Sequence, residues 1–235
     1  MAMSAISGVW YFQPALGAVD VLSRFKTAIE GIDYKGQTLR PMDSSRELWD
    51  AGGEELGRRG AWLTHDVLAA EQGAQFAESD VHYRLERGFN LGKLEMMSFV
   101  LPETPAGAAM SWSLMSHLLP HSISVIDPDL AMINGNEDVA WGSDLVPGAL
   151  PAFFTPFTYL GPTRLTDERR RALGALPDCR TEKLGDGWVV QAVTDLHQKV
   201  SPAFVSALAA MPNEKPIRYK QSRPPRDKTV GSKSR

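Results

Sequence analysis

The chain has 235 residues, 43% of them hydrophobic and 23% charged, the balance of a globular protein able to build a core without disulfide staples. Its single cysteine, Cys179, excludes an intramolecular disulfide and a cysteine-rich metal site. The net charge of −3 conceals a split: residues 215–235 carry eight Lys and Arg against Asp227 alone, a net +7, which leaves residues 1–214 at −10.

That split predicts two parts, an α+β domain over residues 1–214 and a basic tail over 215–235. The tail contains Arg-Pro-Pro and has no apolar periodicity, so it is expected to be disordered. A solvated tail and one that contacts an acidic partner or nucleic acid both fit. The opening MAMSAISGVWYFQ has neither a basic start nor a long apolar run, so no secretory signal is expected. No apolar run approaches the ~20 residues that a membrane-crossing helix requires.

In chain order, ISGVWYFQ (6–13) is rich in β-branched and aromatic residues and predicts a strand. Val21, Leu22, Phe25, Ala28, Ile29 and Ile32 then recur every three or four residues, the face of a helix. Residues 33–60 predict mostly loop, with a short helix around SRELWDA, and 61–71 a helical turn or two. DVHYRLERGF and LGKLEMMSFVL alternate on either side of Asn90 and predict a hairpin. AAMSWSLMSHLLPHS predicts a helix interrupted at Pro120, followed by a short strand SISVI (122–126) and an acidic loop over 127–150. FFTPFTYL (153–160) predicts a strand bent at Pro156. TDERRRALGAL predicts a short helix with Thr166 at its start. RTEKL and GWVVQAV predict a hairpin around Gly185–Asp186–Gly187. SPAFVSALAAM predicts a last helix with Ser201 as N-cap and Pro202 at its first position. Hairpins outnumber strand–helix–strand crossovers, so the expected class is a single α+β domain, a mainly antiparallel sheet with helices packed on it.

Recognisable chemistry is sparse. His117 and His121 stand four apart, but a zinc protease helix needs Glu after the first His, and position 118 is Leu. Cys179 precedes Arg180, which would favour its thiolate, while an incidental thiol is the plainer reading. The chain contains no nucleophile elbow, P-loop or dinucleotide fingerprint. DPDLAMINGNED gathers carboxylates without the spacing of a calcium loop. Turn formation, a partner-binding surface and a metal loop are all compatible with it. Of the six tryptophans, Trp10 and Trp188 fall in predicted strands and belong to a core, while Trp49, Trp62 and Trp141 lie in polar segments. Trp141, amid the acidic loop, suits either packing or an interface.

GVWYFQ with its following helix, FFTPFTYL, and the closing GDGWVVQAVTDLHQKVSPAFVSALAAM resemble the immunity protein 52 family of bacterial polymorphic-toxin and type VI secretion systems. The resemblance covers most of 6–211. It departs at TDLHQK, where the family's strand continues into a Thr-Pro-type turn, and this leaves open which toxin is recognised. What the resemblance implies is a cytoplasmic, non-catalytic antitoxin that needs no cofactor or metal. Such a protein binds a cognate toxin, commonly a nuclease, rather than nucleic acid or membrane. A body at −10 suits a basic, nucleic-acid-binding toxin. The expected toxin-binding residues are Asp127, Asp129, Glu137, Asp138, Trp141 and Asp144. A small-molecule enzyme or ligand-binding protein with an unrecognised pocket is the alternative class.

Overall fold

Among the described residues a nine-stranded antiparallel sheet organises the chain. The computed structural model describes residues 5–12, 23–24, 27–28, 33–34, 37–38, 40–41, 62–67, 77–84, 92–100, 105–134, 146, 148–194, 198–213 and 216–220. In chain order the strands are β1 (Ala5–Phe12), β2 (Asp33–Tyr34), β3 (Gln37–Thr38), β4 (Arg40–Pro41), β5 (Trp62–Val67), β6 (Ala77–Arg84) and β7 (Gly92–Val100). They continue with β8 (Leu130–Asn134), β9 (Phe153–Phe154), β10 (Phe157–Leu160), β11 (Arg180–Leu184), β12 (Gly187–Gln191) and β13 (Arg218–Tyr219). The helices with full bounds are α1 (Pro105–Ile126), α2 (Asp167–Gly174) and α3 (Pro202–Ala209). Residues 23–24 and 27–28, within the first expected helix, are helical as well.

The order across the main sheet is β11-β12-β10-β8-β1-β7-β6-β5-β4, with β9–β13 and β2–β3 as separate pairs. β1 lies at the centre, hydrogen-bonded to β7 on one side and β8 on the other. Its alternation explains the layers, because successive side chains point to opposite faces. Ile6, Trp10 and Phe12 face one way and Val9 and Tyr11 the other, and all are buried. On the first face lies α1. Gly8 lets it come close: a Cβ there would stand 3.2 Å from Met115 Sδ and 3.3 Å from Leu119 Cδ1. Trp10 Nε1 donates to Ser122 Oγ of α1 at 2.8 Å, which satisfies a buried indole. On the second face Val9, Tyr11, Leu130, Met132, Leu160 and Val190 pack with Leu173 of α2 and Phe204 and Leu208 of α3. The fold is α+β, helices on both sides of an antiparallel sheet.

Several expectations are met in detail. β6 and β7 pair as antiparallel neighbours. β11 and β12 pair with Leu184 opposite Gly187, so Gly185–Asp186 is a two-residue turn. Gly185 has φ +58°, at the first central position, where a type II′ turn requires a positive value. Thr166 caps α2 by accepting from Arg169 N, and Ser201 caps α3 by accepting from Ala203 N.

Other expectations are corrected. Residues 62–67 form strand β5 rather than a helical turn, because pairing of its whole length with residues 77–82 of β6 supplies the context that decides such a short segment. SISVI is not a strand: α1 runs through Pro120 to Ile126, since Ser122, Ile123 and Ile126 continue the buried stripe of Trp112, Met115 and Leu119. The expected loop 127–150 contains β8, a strand buried at the heart of the sheet. FFTPFTYL splits into β9 and β10 at Pro156, and Thr155 Oγ1 donates to Phe157 O at 2.6 Å across the corner. The basic segment does not begin outside the domain. β13 pairs in parallel with β9, and Ile217 is buried. Tyr219 meets Phe204 edge to face at 5.7 Å. Residues 221–235 and the expected helix at SRELWDA lie outside the described residues.

Candidate functional site

The expected binding loop leaves and re-enters the fold at places the structure defines. Its approach begins at the end of α1, where Asp127 N donates to Ile123 O at 2.9 Å. Asp127 then turns through φ +53°, the left-handed conformation common just past a helix end, and its side chain is exposed. Two residues on, Asp129 N donates to Tyr11 O and Gly161 N donates to Asp129 O, both at 2.8 Å. The backbone is thereby wedged between β1 and the end of β10. Gly161 permits this closeness, because a Cβ there would lie 2.8 Å from two backbone oxygens, those of Pro128 and Asp129.

Asp129 itself is buried. Its Oδ2 accepts from Arg164 Nε at 2.8 Å and lies 2.6 Å from Arg164 Nη2, while Thr163 Oγ1 donates to Oδ1. Burial pulls the Arg164 guanidinium below its ordinary value and Asp129 opposes that shift. Arg164 Nη1 donates to Val146 O at 3.2 Å and to Ala149 O. Arg169 Nη1 adds bonds to Gly148 O at 2.7 Å and to Arg164 O at 2.9 Å. Two arginines therefore clasp the returning end of the acidic segment by its carbonyls. Asp129 is thus a scaffold carboxylate, withdrawn from the group available to a partner, whereas Asp127 remains exposed. Glu137, Asp138, Trp141 and Asp144 lie outside the described residues.

Asp186 and Tyr159, which the sequence did not single out, stand at the same end of the sheet as Asp127. Tyr159 is 2% exposed, and its ring lies across Gly187, where no Cβ would fit. Burial pushes its phenol up to about 12, helped by the charges of Asp127, Asp186 and Asp129. The strand alternation of FTYL and the Gly-Asp turn carried the signal, but only the pairing of β10 with β12 brings them together.

His117 and His121 are exposed on α1, and among the described residues no group of three or more His, Cys, Asp or Glu is placed to hold a metal. At Cys179 burial, with Asp178 beside it, pushes the thiol up to about 11, which fits an incidental thiol rather than one activated by Arg180. Trp188 packs against the core of the α2–α3 face, and Trp112 Nε1 donates to Thr194 O at 2.9 Å. No helix among the described residues is long and apolar enough to cross a membrane.

The class these features define is an α+β domain whose acidic segment is mounted on a sheet covered on both faces. No family model and no curated protein matches the chain. Among solved structures it is similar to the Pseudomonas aeruginosa T6SS protein PA0821, with 14% sequence identity and a TM-score of 0.47, over 88% of this chain and 74% of that one.

Proposed function

We propose that this protein is an immunity protein of a type VI secretion or related polymorphic-toxin system, acting in the cytoplasm. It binds a cognate toxin, a basic nuclease, and blocks it by direct contact, without catalysis or cofactor. The resemblance of GVWYFQ, FFTPFTYL and the closing Gly-Trp strand and helix to immunity protein 52 supports this reading. The observation that carries it is the mounting of the acidic segment. Residues 135–145 follow Asn134, the last residue of β8, which pairs with Ser7 of β1, and the chain returns through the Arg164–Arg169 clasp on Val146, Gly148 and Ala149, so the anchors on both sides are held before a partner arrives. Anchoring of this kind lowers the ordering cost of association.

Carboxylates on such a segment steer the encounter, and Trp141 supplies a desolvated anchor. The test is surface-binding kinetics against the product of the adjacent toxin gene at low and high salt, with folding checked by circular dichroism. Replacing Glu137, Asp138 and Asp144 together by Lys is expected to slow association and flatten its salt dependence. Trp141→Ala is expected to raise the dissociation rate, by about 2 kcal/mol for an anchor of this kind. Folded variants that bind like the parent would place the contact elsewhere.

A further inference from the structure

The end of the sheet where β8, β10 and β12 lie side by side holds a second acidic feature, separate from residues 135–145. Leu130, Leu160 and Trp188 stand opposite one another across these strands. Tyr159 lies one row in, beside Ala131 and Val189, and its ring reaches back across Gly187 toward the Gly185–Asp186 turn. Asp127 approaches the same end from the terminus of α1. Two exposed aspartates, carried by different elements, therefore flank one buried tyrosine.

The polar balance of this place is incomplete. Among the described residues the Tyr159 hydroxyl has no hydrogen-bond partner, although the residue is 2% exposed. Nor is its oxygen among the fully sealed polar atoms without partners, so the tip opens to the surface. Neither Asp127 nor Asp186 has an ion pair among the described residues, and the carboxylate of Asp129 is taken by Arg164. An unpaired phenol on the floor with two acceptor-only carboxylates at the sides calls for a donor that carries positive charge.

We propose that Asp127, Asp186 and Tyr159 form a seat for an arginine side chain of a protein partner, the guanidinium donating to the two carboxylates and to the Tyr159 oxygen. Arginine suits it better than lysine. A planar guanidinium carries five donors in a fixed fork and can serve several acceptors at once, whereas an ammonium is a point charge. A metal ion is disfavoured, because among the described residues no three acidic, His or Cys groups converge. The seat deepens the proposed function and rests on the reading that the partner is basic.

The experiment uses full-length protein with 13C-labelled tyrosine, titrated with a hexa-arginine peptide. The Tyr159 signal is assigned from Tyr159→Phe. A saturable shift of that signal is expected, with apparent affinity about tenfold weaker in D127N/D186N and clearly weaker for hexa-lysine. The control D167N/E168Q makes the same change in charge on α2 and is expected to bind like the parent. No shift at Tyr159, equal weakening in both double variants, or the same shift with calcium chloride alone overturns the seat. The toxin separates the two claims. A toxin that binds parent and D127N/D186N equally well overturns the seat and leaves the function standing. A seat that takes the peptide in a protein that ignores the toxin does the reverse.

Discussion

Arg164 sits where three parts of the chain meet, and its environment fixes what a change there must do. It is fully buried, paired with Asp129, and it donates to the carbonyls of Val146 and Ala149. A buried pair contributes little net stability compared with an apolar replacement of the whole pair, but removing one member strands the other's charge. Arg164→Met is therefore expected to cost on the order of 3–5 kcal/mol in urea unfolding. The double change Asp129→Leu with Arg164→Met should recover part of the loss. An R164M variant as stable as the parent would mean that Asp129 finds water or another donor. At this scale the sequence was a poor guide. Asp129 looked like its neighbours in a run of carboxylates, and nothing local distinguishes it from exposed Asp127. What separates them is Arg164, 35 residues further on, and only the closed fold brings it near.

Whole elements were more legible where local signals and packing agreed. The hairpin of β11 and β12 and the caps of α2 and α3 could be read directly, since turn glycines and capping hydroxyls act within a few residues. Legibility failed where tertiary context overrode the local signal. Pro120 suggested a break, but the buried stripe continues to Ile126, and helix packing against β1 and β8 outweighs one lost backbone bond. β8 was hidden because a four-residue apolar run, Leu130 to Ile133, stands between acidic turns. β13 was hidden in a basic stretch, although Ile217 and Tyr219 alternate with Arg218 as a half-buried strand does. Ending the chain at Pro216 is expected to destabilise it by about 2–4 kcal/mol, from the burial of Ile217 and the Tyr219–Phe204 contact. Ending it after Lys220 should change urea stability by no more than about 0.5 kcal/mol, since the sequence 221–235 is polar and has no apolar periodicity with which to build a core. Equal stability of both truncations with the parent would show that β13 is not part of the cooperative fold.

Across the whole molecule, charge and architecture divide the work. Among the described residues α1 packs on one face of the sheet around β1, β7 and β8, and α2 and α3 pack on the other around β1, β8, β10 and β12, while connecting segments are the usual carriers of recognition. At one end lie Asp127, Asp186 and the clasp that anchors the acidic segment, on a body that carries −10 over its first 214 residues. Fold class was legible from the hairpin-rich pattern, whereas the order of nine strands was not, because it depends on which distant segments pair. In the proposed function this surface captures and silences a basic nuclease. The most direct measurement is the nuclease activity of the purified adjacent-gene toxin as this protein is added. Complete inhibition at one equivalent, in a complex that survives size-exclusion chromatography, is expected. Undiminished nuclease activity at a large excess of folded protein, with no complex formed, would contradict it.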